Sequence, residues 1–250
     1  MRSACAGIRD LALSAGLSLL VLAAGPAWAD DDAGAAHAHG DPLLWSVKVE
    51  QLEHRWQDGE NTLHWDAQGF VGGDFEKIWL KTEGGKPVDG RVDEAEVQLL
   101  YSRMISDFWD VQAGIRHDIR PFPQTTYAAV GFQGMAYYFI EMDALLFLSE
   151  KGNLSARLEA ETDLLITQKL ILQPLVEVDA AFQDVEALGI GSGINEIGVG
   201  LRLRYEFIRE FAPYVGVQWE RKFGEAAHHA RHEGEDPDAV NVLAGVTFWF

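Results

Sequence analysis

Cysteine, long hydrophobic runs and basic residues are all scarce in this 250-residue sequence. The only cysteine is Cys5, so the chain past residue 29 has neither a disulfide nor a thiolate for catalysis or soft-metal binding. Past the same point no apolar run approaches the roughly 18 residues of a membrane-spanning helix. Acidic residues outnumber basic ones by 39 to 20, for a net charge of −19, which argues against nucleic acid as a partner and suits either a cation as partner or simply a solvated surface.

The first 29 residues have the pattern of a secretory signal peptide. Arg2 and Arg9 precede an apolar run from Leu11 to Ala24, and the small-residue pattern Ala27-Trp28-Ala29 follows. A basic start, a short apolar centre and an A-x-A end are typical of a cleaved signal. We therefore predict export, with cleavage after residue 29.

A short polar segment, residues 30–42, follows the predicted cleavage point and is rich in Asp, Ala and Gly. Such a composition buries too little apolar surface to fold, so we expect a disordered arm in the periplasm. The arm carries His37 and His39, which make a candidate metal site, although two histidines in a disordered segment bind only weakly.

From residue 43 onward, apolar and polar residues alternate in segments of roughly ten residues separated by turn residues, the pattern of a transmembrane β-barrel. In Asn195–Phe207, aliphatic and aromatic residues fall on one face, and Glu, Gly and Arg fall on the other. A helix would scatter these charges around its circumference. The twelve predicted strands are 45–56 (with a bulge near residue 51), 62–71, 75–82, 92–101, 108–118, 125–136, 139–149, 154–166, 170–182, 195–207, 211–223 and 240–250.

The connections between these segments support a barrel in the bacterial outer membrane. Connections after even-numbered segments are short, whereas the longest ones, Gln183–Ile194 and Gly224–Asp238, follow odd-numbered segments. Gly84–Gly90 is also predicted to be a loop. The predicted fold class is therefore all-β: residues 43–250 form a single antiparallel transmembrane β-barrel of about twelve strands with both termini periplasmic. The last segment ends in Phe250, which resembles the assembly signal of such barrels, and closure sets it beside the first.

A soluble periplasmic sandwich or barrel is the alternative fold, because it also alternates apolar and polar residues. Aromatic residues at segment ends, such as Trp45, Tyr101 and Phe211, favour the membrane barrel. They resemble the aromatic girdles at the two membrane interfaces.

If the apolar faces contact lipid, the opposite faces enclose a lumen in which acids outnumber arginines. Such a lumen favours the passage of cations, and an interior packed with ion pairs is the alternative. The predicted luminal acids are Asp66, Glu94, Glu96, Glu141, Asp143, Glu159, Glu161, Asp163, Glu177 and Asp179, with Arg116, Arg157, Arg202 and Arg204 as counter-charges.

Five histidines are predicted to lie at one mouth of the barrel. His228, His229 and His232 belong to the long connection before the last segment, which we expect to be a flexible loop. His54 and His64 flank the first hairpin turn, which closure brings to the same rim. Because imidazole binds Cu(II) and other borderline ions, the sequence predicts a metal site here, with solvated loop histidines as the alternative.

Enzyme activity is not expected. His117 falls on the outward phase near the end of the fifth segment, but no adjacent segment offers a serine in that phase. The glycine-rich stretch 189–193 is followed by neither a helix nor a lysine, so it does not match a phosphate-binding loop.

Several blocks of the sequence resemble the copper-resistance protein B family of outer-membrane proteins. The resemblance implies a role in copper tolerance, by binding copper or helping it to leave the periplasm, beside a periplasmic multicopper oxidase. Copper is then a bound substrate rather than a catalytic cofactor, and the protein is expected to be a monomer in contact with lipid. The blocks are Trp79–Gly84, Glu96–Arg103, Arg157–Glu161, Gln168–Pro174 and Phe211–Phe223, and the similarity covers Leu43–Phe250.

The sequence departs from the family in its methionine content. Family members often carry a long N-terminal segment rich in Met and His, whereas here the arm is short. Past residue 29 the only methionines are Met104, Met135 and Met142, so thioether ligands for Cu(I) are nearly absent. The lumen or the rim must then carry any metal role. A general cation-permeable or structural barrel with no specific metal site remains the alternative function.

Overall fold

The computed structural model describes residues 43–57, 61–233 and 236–250. The predicted signal peptide and the arm with His37 and His39 lie outside the described residues. Within them the chain forms the predicted closed antiparallel barrel. Its strands are β1 (Leu44–Trp56), β2 (Asn61–Gly72), β3 (Glu76–Pro87), β4 (Glu94–Ser106), β5 (Trp109–Arg120), β6 (Thr125–Ala136), β7 (Ile140–Ser149), β8 (Leu154–Glu161), β9 (Leu170–Ala181), β10 (Gly193–Tyr205), β11 (Phe211–Lys222) and β12 (Asp238–Trp249).

Strand β12 closes the barrel against β1, as predicted. Val242 lies opposite Trp56 and Phe248 opposite Val49, and the register shifts between Val49 and Leu52. In the β1–β2 ladder the shift lies between Val49 and Gln51, where the bulge was predicted. Val47 and Phe250 exchange two backbone hydrogen bonds of 2.9 and 3.1 Å, which set both ends of the described barrel on one side.

Strand β8 is interrupted where Pro174 of β9 lies opposite Thr162. The Thr162 amide donates to the Pro174 carbonyl at 3.3 Å, but proline has no N–H with which to complete the pair. The ladder resumes in the same register at Leu164–Leu165, a two-residue continuation of β8. One proline thus shortens the predicted strand 154–166 without displacing it.

The outer surface of the barrel is apolar all the way round. Every strand contributes exposed aliphatic or aromatic side chains to it, as expected for a wall in contact with lipid. One from each strand, in order, is Trp45, Val71, Leu80, Leu99, Ile115, Val130, Leu146, Leu158, Val176, Val199, Val217 and Val242.

The prediction of a loop at Gly84–Gly90 is wrong for its first half, because β3 continues to Pro87. Gly84 pairs with Trp65 on one side and Ala95 on the other. A side chain at Gly84 would overlap the Trp65 indole. Glycine is therefore needed at this position because the large ring covers it, and not because the chain turns here.

The prediction of a flexible loop over 224–238 is also wrong for residues 224–233, because Gly224–Glu233 forms a helix, α1. Glu225 lies in its first turn and Arg231 in its last, which suits the helix dipole. Ala227 and Ala230 are buried. The helix rests on the β9–β10 connection, where a Cβ at Gly191 would lie 2.7 Å from Cβ of Glu225. Residues 189–191 of the glycine-rich stretch are therefore the surface on which α1 packs, called here the α1 seat.

Two short 3-10 turns, Tyr137–Phe139 and Glu186–Leu188, complete the described helices. In the part of the chain that the structure describes, no helix is both long and apolar enough to cross a membrane.

The lumen contains an apolar cluster that the alternation pattern did not predict. It occupies the wall formed by β3 to β7, and Phe147 and Leu100 are its most deeply buried members. The interior is therefore part hydrophobic core and part polar network. The cluster consists of Leu100, Tyr127, Ala129, Leu145 and Phe147, with Trp79 packed against it.

We predict that Phe147→Ala lowers the free energy of unfolding by about 3–5 kcal/mol, because removal of a buried ring leaves a cavity. Phe147 is 1% exposed inside the barrel, whereas Phe132, 50% exposed on the outer face of β6, provides the control Phe132→Ala. Urea unfolding in detergent micelles measures both. Since detergent replaces the contacts of Phe132, the free energy of unfolding should fall less in Phe132→Ala. Equal decreases in the two variants would contradict a packed interior.

Candidate functional site

Glu53 of β1 is the centre of the most buried ion-pair network in the lumen. It is 1% exposed. Arg55 contacts it at 2.7 Å and Arg202 of β10 at 3.2 Å, and the Tyr214 hydroxyl of β11 donates to it at 2.9 Å. Three strands are thus tied together behind the seam that β12 closes. At this level β12 carries Gly245, where a Cβ would lie 2.6 Å from the Tyr214 hydroxyl oxygen.

Arg157 of β8 carries a second network, which crosses the lumen. Its guanidinium lies 2.8 Å from Glu83 of β3 and 3.3 Å from Glu96 of β4. On its own side of the barrel it lies 3.2 Å from Asp179 of β9. Arg116 of β5 contacts Glu96 at 2.7 Å. The barrel is thus bridged by charge between walls that are far apart in strand order.

A cavity of about 420 Å³ lies between this bridge and the β4–β5 turn. Glu83, Glu96 and Arg157 line it at one end, and Asp107 and Phe108 at the other. Since the β4–β5 turn follows an even-numbered strand, the cavity lies toward the predicted periplasmic side. Several buried polar atoms in its wall have no hydrogen-bond partner among the described residues, so water or a hydrated ion would satisfy them. They are Gln68 Oε1, Trp79 Nε1, Gln98 Oε1 and Asp143 Oδ1.

The structure places all ten predicted luminal acids on the inner wall. Six line the cavity, three pair with arginines of the interior, and one follows the luminal phase of β4. In that order they are Asp66, Glu96, Glu141, Asp143, Glu159 and Glu161, then Asp163 with Arg204 and Glu177 and Asp179 with Arg157, then Glu94.

Two central acids, Glu53 and Glu83, were not predicted. Glu53 follows the predicted bulge near Gln51, past which the phase of β1 reverses and turns this side chain inward. Glu83 fell just past the predicted end of the third segment at Thr82. The alternation of Lys81, Glu83 and Gly85 is the signal that would have extended that strand.

Among the predicted metal ligands that the structure describes, His228 and His232 of α1 form the closest pair. They lie one helical turn apart, and their Nε2 atoms are 3.3 Å apart. Two imidazole nitrogens bound to one ion at about 2 Å lie about 3 Å apart, so the pair suits a shared metal ion. Glu225 lies 3.9 Å from Nδ1 of His228. His229 instead faces the α1 seat, since a Cβ built on Gly189 would lie 3.6 Å from the Cβ of His229.

His54 and His64 do not join this pair on a common surface. His64 faces the lumen, 3.9 Å from Glu83, and lies opposite Glu53 in the β1–β2 ladder. His54 lies on the outer face beside Trp56, with ring centroids 4.4 Å apart. Over residues 43–57, 61–233 and 236–250, no group of three or more His, Cys, Asp or Glu side chains is arranged to hold a metal ion. The predicted five-histidine cluster is thus reduced to one pair.

A closed twelve-stranded wall with an apolar exterior and a charged interior defines an outer-membrane β-barrel. The NanC porin, in its rhombohedral crystal form, shares this architecture with a TM-score of 0.55 and 12% identity over 81% of this chain and 98% of the porin. A likeness at this level of identity concerns the fold alone.

The chain belongs to the copper resistance protein B family, whose model, described as copper resistance protein B precursor, matches residues 43–250. Copper resistance protein B of Escherichia coli is 43% identical over 212 residues, which cover 85% of this chain and 71% of that protein. The copper resistance protein B homolog of Pseudomonas syringae pv. tomato is 42% identical over 204 residues, or 81% and 68% of the two chains.

Membership of this family supports a role in copper resistance at the outer membrane. Family membership also suggests a non-enzymatic protein. The fold and family predicted from the sequence are confirmed.

We predict that Glu53→Gln lowers the free energy of unfolding by about 3 kcal/mol, because Arg202 then keeps its charge in the interior without a carboxylate and Arg55 keeps only Glu220. Urea unfolding in micelles measures the loss. Glu150→Gln, in the exposed turn after β7, is the control and should change stability by less than about 0.5 kcal/mol. The double variant Glu53→Gln/Arg202→Met should recover part of the loss, and a wild-type midpoint for Glu53→Gln would contradict the assignment.

Proposed function

We propose that this protein binds copper at the His228–His232 pair of α1 and sequesters it at the outer membrane or assists its exit from the periplasm. The observation that carries this proposal is the 3.3 Å separation of the two Nε2 atoms on one exposed helix face. Helix α1 holds the pair in register, because its buried Ala227 and Ala230 anchor the opposite face. The ligands are therefore set before the metal arrives.

Cu(II) is the ion that such a pair favours most among divalent first-row metals, because affinity at nitrogen and oxygen sites peaks at copper. Glu225, 3.9 Å from His228 Nδ1, supports this role by orienting the ring so that Nε2 is presented to the ion. Water completes the coordination of the exposed ion. The family relationship supplies the biological reason for copper rather than nickel or zinc.

The remaining candidate histidines take secondary roles in this proposal. His64, beside Glu83 in the lumen, offers one imidazole along the path through the barrel. His37 and His39 capture copper weakly on the periplasmic arm. His54 packs on Trp56 at the outer face and His229 faces the α1 seat, so neither is assigned as a main ligand.

Copper reaches or leaves the rim through the acid-lined lumen in this proposal. The carboxylates of the cavity wall attract cations, and the family resemblance implies a periplasmic multicopper oxidase as the partner protein. The protein acts as a monomer, which agrees with an apolar exterior contributed by all twelve strands. The signal peptide, residues 1–29, directs the chain to this compartment.

A general cation-permeable barrel without a specific metal site is the second candidate function. The acidic cavity of about 420 Å³ favours it, because an excess of carboxylates attracts any cation. The two functions differ in whether α1 binds copper.

We predict that the full chain in detergent binds Cu(II), and that His228→Gln/His232→Gln weakens this binding at least about tenfold, because both main ligands are lost. Isothermal titration calorimetry measures the affinity. His229→Gln, on the same helix but turned to its seat, is the matched control and should bind as the wild type does. If the double variant binds Cu(II) with wild-type affinity, the α1 site is wrong, and if the wild type does not bind Cu(II), the second candidate is favoured.

A second prediction concerns the lumen. In planar bilayers under a KCl gradient, the reversal potential should have the sign of cation selectivity, because carboxylates dominate the cavity wall. A reversal potential of zero, or one with the sign of anion selectivity, would contradict passage of copper through the barrel. It would not contradict copper binding at α1.

A further inference from the structure

Arg157 connects two walls of the barrel that are nearly opposite. Strands β3 and β8 are five positions apart round a wall of twelve strands, close to the maximum of six. A guanidinium that contacts Glu83 at 2.8 Å from β8 therefore spans the lumen. The contact of Arg157 with Glu96 is bidentate, at 3.3 and 3.4 Å, and a bidentate arginine pair fixes geometry more firmly than a lysine pair does.

The bridge is one part of a polar layer that crosses the interior. From Glu83 the layer continues to His64 at 3.9 Å, and His64 lies opposite Glu53 in the β1–β2 ladder. Glu53 in turn contacts Arg202 of β10 at 3.2 Å. Side chains of β8, β3, β2, β1 and β10 thus meet in one row, and the cavity lies on one side of it.

The two ends of this row differ in how firmly they are held. The Glu53 and Arg202 side chains are 0% and 3% exposed, and Tyr214 adds a hydrogen bond, so this end is fixed. The Glu83 side chain is 28% exposed and that of Arg157 is 13% exposed. Water therefore reaches the Arg157 end, where an ion pair breaks at lower cost than in a dry interior.

Arg157 also has a second set of partners on its own wall. Asp179 at 3.2 Å and Glu177 at 3.8 Å both belong to β9, the neighbour of β8. If the guanidinium leaves Glu83 and Glu96, it stays paired with these two acids. Glu96 keeps Arg116 at 2.7 Å. Only Glu83 then loses its arginine, and His64 at 3.9 Å remains beside it.

We infer that Arg157 closes the lumen, and that a cation passes when the guanidinium retracts onto Asp179 and Glu177 and leaves Glu83 and His64 to the ion. The inference rests on the proposed function in that it takes the lumen to be a path for cations. A carboxylate beside an imidazole suits a borderline divalent ion such as Cu(II) better than an alkali ion. Arg157 is thereby a permeation-determining residue.

The test is the single-channel conductance of the full chain in planar bilayers bathed in KCl, together with the reversal potential under a KCl gradient. Arg157→Gln should raise the conductance about tenfold, because the closed arrangement loses the contact that favours it. Arg204→Gln is the matched control, since its partner Asp163 follows β8, only two strands away, and the pair does not cross the lumen. Its conductance should stay within about twofold of the wild type.

A second variant keeps the test independent of how well Arg157→Gln folds. Glu83→Gln/Glu96→Gln releases the guanidinium from the opposite side and should also raise the conductance. Wild-type conductance in both variants, with cation selectivity retained, would overturn the role of Arg157 and leave the proposed function standing. Raised conductance with anion selectivity would support closure by Arg157 and contradict a cation path.

Discussion

A sheet in a bilayer must close, because hydrocarbon offers no partner to the backbone groups of a free edge. The β1–β12 ladder satisfies this constraint here, with the paired amides and carbonyls of Val47 and Phe250 at its end. Closure at twelve strands also sets the width of the interior. The wall is narrow enough for Arg157 to reach Glu83 from nearly opposite, so the charged layer of the lumen is a direct consequence of the strand number.

The fold was predictable because one physical requirement, an apolar face toward lipid, acts on every strand and leaves a period of two in the sequence. The errors occurred where a local contact overrides a residue's usual preference. Glycine ordinarily indicates a turn, but Gly84 continues β3 beneath the Trp65 indole. Helix α1 has no broad apolar stripe, and it forms where Ala227 and Ala230 are buried beside the 189–191 seat. Such contacts are not visible in a sequence.

The candidate site was predictable to a lesser degree. The spacing of His228 and His232 becomes a pair only when the segment is helical, so the residues were identified but their geometry was not. For the other residues, the position along a strand decides whether the side chain points into the lumen or outward. Glu53, not His54, lies opposite His64, so the two histidines take opposite sides of the wall. The inward direction of Glu53 follows from the one-residue bulge predicted near residue 51, past which the phase of β1 reverses.

The seat of α1 has a consequence for how copper binding would vary among similar proteins. Gly191 has no side chain with which to hold a metal ion, yet a Cβ there would lie 2.7 Å from Cβ of Glu225 and would shift the helix on the β9–β10 connection. A relative that kept both imidazoles but carried a larger residue at this position would present them on a loosened segment. A glycine more than thirty residues from the two histidines would then decide how rigidly they are held.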